Sequence, residues 1–230
     1  MPHRSDMLDN LARHIDISCV QAQHSRADLK ELADIARRYD FVSAHVLPNW
    51  LGTMKRLLER SVTLVGSPAG FPSGGASTAI KLAEAAELLE GGAQEIDVVA
   101  PIGRLRSGEL DYVADELEAV VALIDSAVPL RVILEVGHLR DDEIRAGVEV
   151  AIAAGVPWIK TGTGWSGIPT TVHHIEVIAA AANGRAAIKA AGGIRDIDTI
   201  ERMIDAGVTR FGMNLPSAVA AVTRPATRTP

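Results

Sequence analysis

The chain has 230 residues, enough for one domain with a sizeable hydrophobic core, and its formal net charge of −6 argues against nucleic acid or an anionic membrane as the partner. Its one cysteine, Cys19, excludes an intramolecular disulfide, and the sequence shows neither a secretion leader nor a long uncharged apolar run. We therefore expect a cytoplasmic protein that acts on small molecules.

Short β-branched apolar runs alternate with longer stretches of helical periodicity, which predicts a parallel sheet with crossover helices. About eight strands are predicted, the number that closes a barrel. We therefore predict a single (β/α)8 TIM barrel over residues 1–222 and a flexible tail, rich in Pro and Thr, over residues 223–230. The predicted strands are 14–19, 41–46, 62–66, 95–100, 131–136, 158–162, 186–191 and 210–213.

The segments between the predicted strands have apolar residues at every third or fourth position, as in helices that pack on one face against a barrel. Glycines follow several of them directly before a strand, for example at Gly155 and Gly207, as is typical of helix ends. The predicted helices are 26–39, 75–90, 111–126, 141–154 and 170–182.

Two lysines stand where an apolar strand should have none. Lys30, Lys55 and Lys81 fall in helical segments, where a solvated face satisfies them, but Lys160 and Lys189 lie within predicted strands, each between apolar residues. An ammonium buried in either strand loses hydration, which lowers its pKa, and a second nearby cation lowers it further. The resulting neutral amine could attack an aldehyde or ketone to give a carbinolamine and then an iminium.

The alternative for these lysines is a purely structural buried ion pair with Asp97 or Glu135. Glycine-rich loops, 162–164 and 192–193, follow both lysine strands and favour the catalytic interpretation, because barrel active sites form at the carboxyl ends of the strands. Asp97 itself lies in another apolar strand. It could move protons during iminium chemistry or simply neutralise Lys189, and the sequence leaves both roles open.

At these motifs the chain resembles the deoxyribose-phosphate aldolase family, and the resemblance runs from about Ile15 to Met213. The resemblance implies a class I, Schiff-base aldolase with acetaldehyde as donor and a sugar or sugar phosphate as the other substrate. It assigns imine formation to Lys160, the lowering of that lysine's pKa to Lys189 and proton relay to Asp97. It implies neither a metal nor an organic cofactor, and it favours a homo-oligomer, either a dimer or a tetramer.

The resemblance also implies a substrate shell. Asp16 and Ser18 match the family's first-strand Asp and Thr, and Arg131 and Glu135 match its fifth-strand Lys and Glu. Where the family places paired serines after the last strand, this chain has Asn214 and Leu215; an amide can donate to a phosphate oxygen and leucine cannot. The remaining expected substrate-binding residues are Thr163, Gly164, Gly192, Gly193 and Arg195.

Further departures from the family pattern surround the expected pocket. His45 replaces the usual Cys and adds a group that titrates near neutrality, and Ser67 stands where the resemblance places Phe, which would enlarge and polarise a pocket wall. We interpret the departures as an altered substrate, either one without phosphate or one with a polar substituent on the donor. The alternatives are neutral drift within an ordinary member of the family, a cofactor-free sugar-phosphate isomerase, and a catalytically silent barrel that binds a ligand.

Overall fold

Eight parallel strands close into a barrel in chain order in the computed structural model, which describes residues 4–223. This confirms the predicted (β/α)8 fold, and each strand overlaps its predicted range. The strands are β1 Ile15–Cys19, β2 Ser43–Val46, β3 Leu64–Ala69, β4 Glu95–Val99, β5 Leu130–Ile133, β6 Trp158–Lys160, β7 Ala187–Ala191 and β8 Arg210–Asn214.

Helices surround the barrel, and five of them match the predicted ones. The predicted ranges do not include the short or terminal helices α1, α3, α5, α9 and α10 of the list below, although the prediction that Lys55 is helical agrees with its place on α3. The last of them ends at Thr223, and residues 224–230 of the predicted tail lie outside the described residues. The helices are α1 Arg4–Asp9, α2 Arg26–Tyr39, α3 Leu51–Leu57, α4 Thr78–Glu90, α5 Ile102–Arg106, α6 Leu110–Ile124, α7 Asp141–Ala153, α8 Val172–Ala182, α9 Ile197–Asp205 and α10 Leu215–Thr223, with 3-10 turns at Leu11–His14, Pro48–Trp50 and Val136–His138.

Helix α2 shows how local sequence fixes these elements. It begins after Ser25, whose backbone N–H donates to Asp28 Oδ2 at 2.6 Å while its hydroxyl faces the Asp28 amide, a reciprocal cap for the first turn. It ends at Asp40, which adopts a left-handed conformation with φ +54°. The apolar residues on its inner face are fully buried, so the helix holds β1 and β2 in place.

The prediction that Lys81 needs only a solvated face is wrong. Lys81 lies on the inner face of α4, and its side chain is fully buried. The ammonium donates to the Val99 carbonyl at 2.9 Å and pairs with Glu116 Oε1 at 2.5 Å. Its methylenes pack beneath Gly70, so this ion pair supports the loop that follows β3. A buried lysine of this kind is tolerated because its charge is paired and its ammonium donates to two acceptors.

Among residues 4–223, no helix combines the length and the apolar character that crossing a membrane requires.

Candidate active site

Strand register brings the charged residues of the sequence into the barrel interior. Lys160 is the register partner of Lys189 across β6 and β7, and Lys189 is in turn the partner of Arg210 on β8. Asp97 on β4 is the partner of Arg131 on β5. Because register partners on parallel strands point to the same face, these side chains form contiguous layers inside the barrel.

The upper layer joins both lysines to one carboxylate. Lys160 Nζ lies 2.7 Å from Asp97 Oδ2, and Lys189 Nζ lies 3.2 Å from the same oxygen. Lys189 also pairs with Asp16 Oδ2 at 2.6 Å. Asp97 is fully buried, whereas Lys160 is 8% exposed at the floor of a cavity. Of the two lysines, Lys160 therefore has the access that a nucleophile needs.

A second layer neutralises the carboxylates from below. Arg131 pairs with Glu95 at 2.6 Å and with Asp97 at 3.4 Å, and Arg210 pairs with Glu95 at 2.8 Å and with Asp16 at 2.6 Å. The carboxylates of both layers belong to β1 and β4, whereas the basic side chains belong to β5, β6, β7 and β8. We call the whole set the buried ion cluster: Asp16, His45, Glu95, Asp97, Arg131, Lys160, Lys189 and Arg210.

His45 lies between the carboxylates on the β2 side of the cluster. Its Nε2 is 3.2 Å from Glu95 Oε2, and its Nδ1 is 3.6 Å from Asp97 Oδ2. The ring occupies the space in front of Gly66 on the adjacent strand, where an added Cβ would approach Nε2 to 2.5 Å. The glycine at position 66 is therefore what allows an imidazole at this position.

Burial and neighbouring charges shift the pKa values of the cluster. Burial is the largest influence on Lys189 and lowers its pKa to about 8, assisted by Lys160 and opposed by the adjacent carboxylates. Burial alone would raise the pKa of Asp97, but the surrounding basic groups, Lys160 and Lys189 foremost, together outweigh it and hold that pKa well below its usual range. Burial, together with Lys189, also lowers the pKa of His45, so the imidazole is neutral at pH 7.

A cavity opens above the cluster at the carboxyl ends of the strands. Its wall includes all three predicted catalytic residues and most of the predicted substrate-binding residues. Those brought together there are Asp16, Ser18, His45, Asp97, Lys160, Thr163, Gly164, Lys189, Gly192, Gly193, Arg195 and Asn214.

The predicted substrate-binding residues Ser67, Arg131 and Glu135 are not on this wall. Ser67 is on the outward face of β3, because side chains alternate along a strand, and its hydroxyl donates to the Val46 carbonyl at 2.8 Å. Arg131 lies in the lower layer of the cluster. Glu135 accepts hydrogen bonds from the backbone N–H and the hydroxyl of Thr163, so it orders the loop after β6 from behind.

Sequence reasoning missed the aromatic side of the cavity. Phe71, on the loop after β3, lines the wall and meets Trp165 edge to face with ring centroids 5.9 Å apart. Trp165 Nε1 donates to the Val20 carbonyl at 3.0 Å, which ties the loop after β6 to the loop after β1. The enlargement expected from Ser67 is therefore absent, since Phe71 supplies the aromatic surface from four residues further along.

Sequence reasoning also missed the structural partners Glu95 and Arg210, although a signal was available. Glu95 and Asp97 are two apart on one strand, and so are Arg210 and Gly212, which lines the cavity. Residues at this spacing share a strand face. If one residue of such a pair faces the barrel interior, the other is predicted to face it as well.

Three potential metal ligands, Asp16, His45 and Glu95, have donor atoms within 4.8 Å of one another. Their oxygens already bind the nitrogen atoms of Lys189, Arg131 and Arg210. A divalent cation would have to displace an ammonium or a guanidinium and would be repelled by the others. These residues therefore fit an ion-pair network better than a metal centre.

Comparison with known proteins gives a consistent set of relatives, although no family model matches the chain. A deoxyribose-phosphate aldolase of Sinorhizobium medicae is 50% identical over 214 residues, which cover 93% of this chain and 86% of the relative. One of Klebsiella pneumoniae is 42% identical over 88% of this chain and 82% of its own length. The solved tetrameric deoxyribose phosphate aldolase of Aeropyrum pernix has a TM-score of 0.84 at 28% identity, covering 96% of this chain and 97% of that one.

Proposed function

The chain belongs to the deoxyribose-phosphate aldolase family, and we propose that it catalyses a reversible aldol reaction in which acetaldehyde, bound to Lys160 as a Schiff base, is joined to a second small aldehyde. The observation that carries this proposal is the contact of 2.7 Å between Lys160 Nζ and Asp97 Oδ2 at the cavity floor. A nucleophilic amine, a proton acceptor and an entrance for substrate meet at that point.

The charge balance of the buried ion cluster supports a neutral amine. When the carboxylates, lysines and arginines are all ionised and His45 is neutral, the cluster holds four positive and three negative charges. The positive charges are on Arg131, Lys160, Lys189 and Arg210, and the negative charges are on Asp16, Glu95 and Asp97. Loss of one proton makes it electrically neutral, which a low-dielectric interior favours. The arginines keep their protons, which leaves the two lysines as the groups that can release one.

In the direction of cleavage, the Lys160 amine adds to the aldehyde carbon of the open-chain sugar, and the carbinolamine loses water to give an iminium. A base then takes the proton of the hydroxyl on C3, the C2–C3 bond breaks, and its electrons form an enamine on C2 while C3 leaves as an aldehyde. Protonation of the enamine and addition of water release acetaldehyde and regenerate the amine. We assign the proton transfers to Asp97, which acts directly or through water. The ammonium of Lys189 supports these steps electrostatically.

Borohydride reduction in the presence of acetaldehyde tests the proposal. The hydride converts a Schiff base into a stable secondary amine, so mass spectrometry should find one two-carbon (ethyl) adduct, located on Lys160. Lys160→Leu should lose the adduct yet remain folded, because Asp97 retains Lys189 and Arg131 as partners. Lys30→Leu, which replaces an exposed lysine, is the matched control and should keep it.

The same experiment distinguishes the alternatives. An isomerase that uses only carboxylate chemistry, or a silent barrel that only binds a ligand, would give no reduced adduct at Lys160 in a folded protein. An adduct spread over exposed lysines would equally contradict the proposal.

We also propose a cytoplasmic homo-oligomer. The Aeropyrum pernix relative, described as a tetramer, supports association, and light scattering coupled to size-exclusion chromatography tests it. A monomer of 24.3 kDa at micromolar concentration would contradict it.

A further inference from the structure

We propose that His45 holds a proton for Asp97 during the aldol reaction, in the interval between cleavage of a substrate bond and protonation of the enamine. The inference rests on the proposed function and assigns a role to a departure from the family pattern. His45 lies on β2, beside Gly66 on β3, and it lines the cavity. It acts through Asp97 and not on the substrate itself, so it is a positioning residue for the proton.

Both ring nitrogens of His45 face carboxylates. Nε2 lies 3.2 Å from Glu95 Oε2 and 3.7 Å from Asp16 Oδ2, and Nδ1 lies 3.6 Å from Asp97 Oδ2. A neutral imidazole donates from one nitrogen and accepts at the other, whereas an imidazolium donates from both. In either neutral tautomer one lone pair therefore faces a carboxylate oxygen, so the surroundings of the ring are arranged to receive one more proton.

The shorter of these contacts decides which nitrogen is free. We assign the N–H to Nε2, which donates to Glu95, and this leaves the lone pair of Nδ1 directed toward Asp97 Oδ2. The separation of 3.6 Å is longer than a hydrogen bond, but contacts of this kind often tighten only once the substrate is bound. Asp97 Oδ2 also contacts Lys160 Nζ, so one oxygen atom links the reacting amine to the imidazole.

Asp97 by itself is poorly suited to keep a proton. Its carboxylate contacts the ammonium of Lys189 at 3.2 Å and the guanidinium of Arg131 at 3.4 Å. Despite burial, Lys160 and these two cations hold its pKa well below the usual range. The cations already carry their full complement of protons. Within residues 4–223, the remaining ionisable neighbour of the carboxylate is the neutral imidazole of His45, which has a lone pair to offer.

The path of the proton can be followed through one turnover in the direction of cleavage. The proton of the C3 hydroxyl passes to Asp97 as the C2–C3 bond breaks. The electrons of that bond form the C1–C2 double bond of the enamine, and one electron pair of the C=N bond returns to the nitrogen of Lys160, which becomes neutral. Asp97 then passes the proton to Nδ1 of His45, and the same path returns it to C2 when the enamine is protonated.

This transfer keeps the net charge of the buried ion cluster constant. A positive charge leaves the nitrogen of Lys160 when the enamine forms, and one appears on the imidazolium of His45. Three carboxylates face the ring and favour the imidazolium, whereas burial, followed by Lys189, favours the neutral ring that is present at rest. Because charge moves within the cluster and does not accumulate, no unpaired charge is added to a low-dielectric interior.

Deuterium exchange into acetaldehyde measures the proposed transfer. In D2O without a second aldehyde, the Lys160 iminium loses a proton from its methyl carbon and regains a deuteron, and proton NMR follows the loss of the methyl signal. His45→Gln keeps an N–H for Glu95 but cannot take up a proton. We expect its exchange rate at saturating acetaldehyde to fall by about a hundredfold, while the borohydride adduct still forms on Lys160. The control His173→Gln, which replaces an exposed histidine paired with Asp141, should exchange at the normal rate.

The adduct and the exchange rate together separate the possible failures. Absence of the Lys160 adduct in the unsubstituted protein refutes the proposed function. A normal adduct in His45→Gln, with exchange reduced by less than about tenfold, refutes only the role of His45.

Chemical rescue distinguishes proton transfer from packing, and it decides the question if His45→Gln loses the adduct. His45→Ala leaves a space the size of the ring beside the cavity. Added imidazole should accelerate exchange in this variant by at least about tenfold, and among imidazoles of similar size the rescued rate should rise with basicity. Pyrazole has nearly the same shape but is a much weaker base. Equal rescue by pyrazole, or no rescue by imidazole, would therefore overturn the inference.

Discussion

Replacing Arg131 by methionine tests whether the lower layer of the buried ion cluster holds the barrel together. Arg131 is 1% exposed, and its guanidinium lies 2.6 Å from Glu95 and 3.4 Å from Asp97. At 2.6 Å two unit charges attract by about 6 kcal/mol at an effective dielectric constant of 20. Arg210 still neutralises Glu95 from 2.8 Å, so only part of this attraction is lost.

Removal of one partner from a buried ion pair typically costs about 3–5 kcal/mol, because the other charge stays buried. We expect Arg131→Met to lower the free energy of unfolding by about 3 kcal/mol, the low end of that range, as measured by urea denaturation at pH 7. Since Arg131 is not on the cavity wall, KM should stay within about twofold wherever the variant is folded.

The chain offers a matched control for this experiment. Arg185 and Glu149 are also 2.6 Å apart, but their side chains are 46% and 53% exposed. Arg185→Met should therefore leave the unfolding transition unchanged within experimental error. The double variant Arg131→Met/Glu95→Gln should be less destabilised than the sum of the single variants, because no charge of that pair is left unpaired. A loss below about 1 kcal/mol in Arg131→Met would refute the burial argument.

Three further predictions follow from the site. Activity should fall as pH rises through about 8, where Lys189 loses its proton, and in Lys189→Arg this decline should move above about pH 10; an unchanged profile would exclude Lys189 as its cause. The pKa of Glu95 is held at about 2 instead of the usual 4.5 of a glutamate despite burial, chiefly by its hydrogen bond to His45 and by the nearby guanidiniums. Its stabilising contribution is therefore complete above pH 4.5 and lost as pH falls toward about 2, so urea midpoints should drop over that range, and constant midpoints would contradict the assignment. Gly66→Ala places a methyl group against the ring of His45 and should destabilise the protein by about 1–3 kcal/mol. In the control Gly103→Ala, an added Cβ meets nothing within 4 Å, so this variant should be neutral or stabilised by up to about 1 kcal/mol. Equal thermal midpoints for the two variants would count against the steric argument.

Sequence reasoning was strongest where one physical pattern dominates. Charged residues in apolar strands, such as Lys160, Lys189 and Asp97, can be located because burial makes them anomalous. The directions of side chains within a strand were harder to assign. The prediction for Ser67 placed it on the cavity wall, but the inward residues of that strand include Pro68, one position later.

Residues that depend on contacts distant in the chain could not be predicted. Lys81 resembles any helical lysine until Glu116, 35 residues later, is seen to pair with it. Phe71 and Trp165 come from different loops and meet only in the folded protein. At the start of α10, the Ser217 amide donates to Asn214 Oδ1 at 2.9 Å; this cap was within reach of the sequence, since an Asn before a helix is a common cap.

The division of charge between the strands has a consequence for assembly. A cut in the turn between α6 and β5 would leave one fragment with all the carboxylates of the cluster and the other with all its lysines and arginines. Each half-barrel would then have to bury like charges against one another, so neither should fold when expressed alone, while co-expression should restore a native complex. If either fragment proved well folded in isolation, mutual neutralisation would not be what unites the two halves.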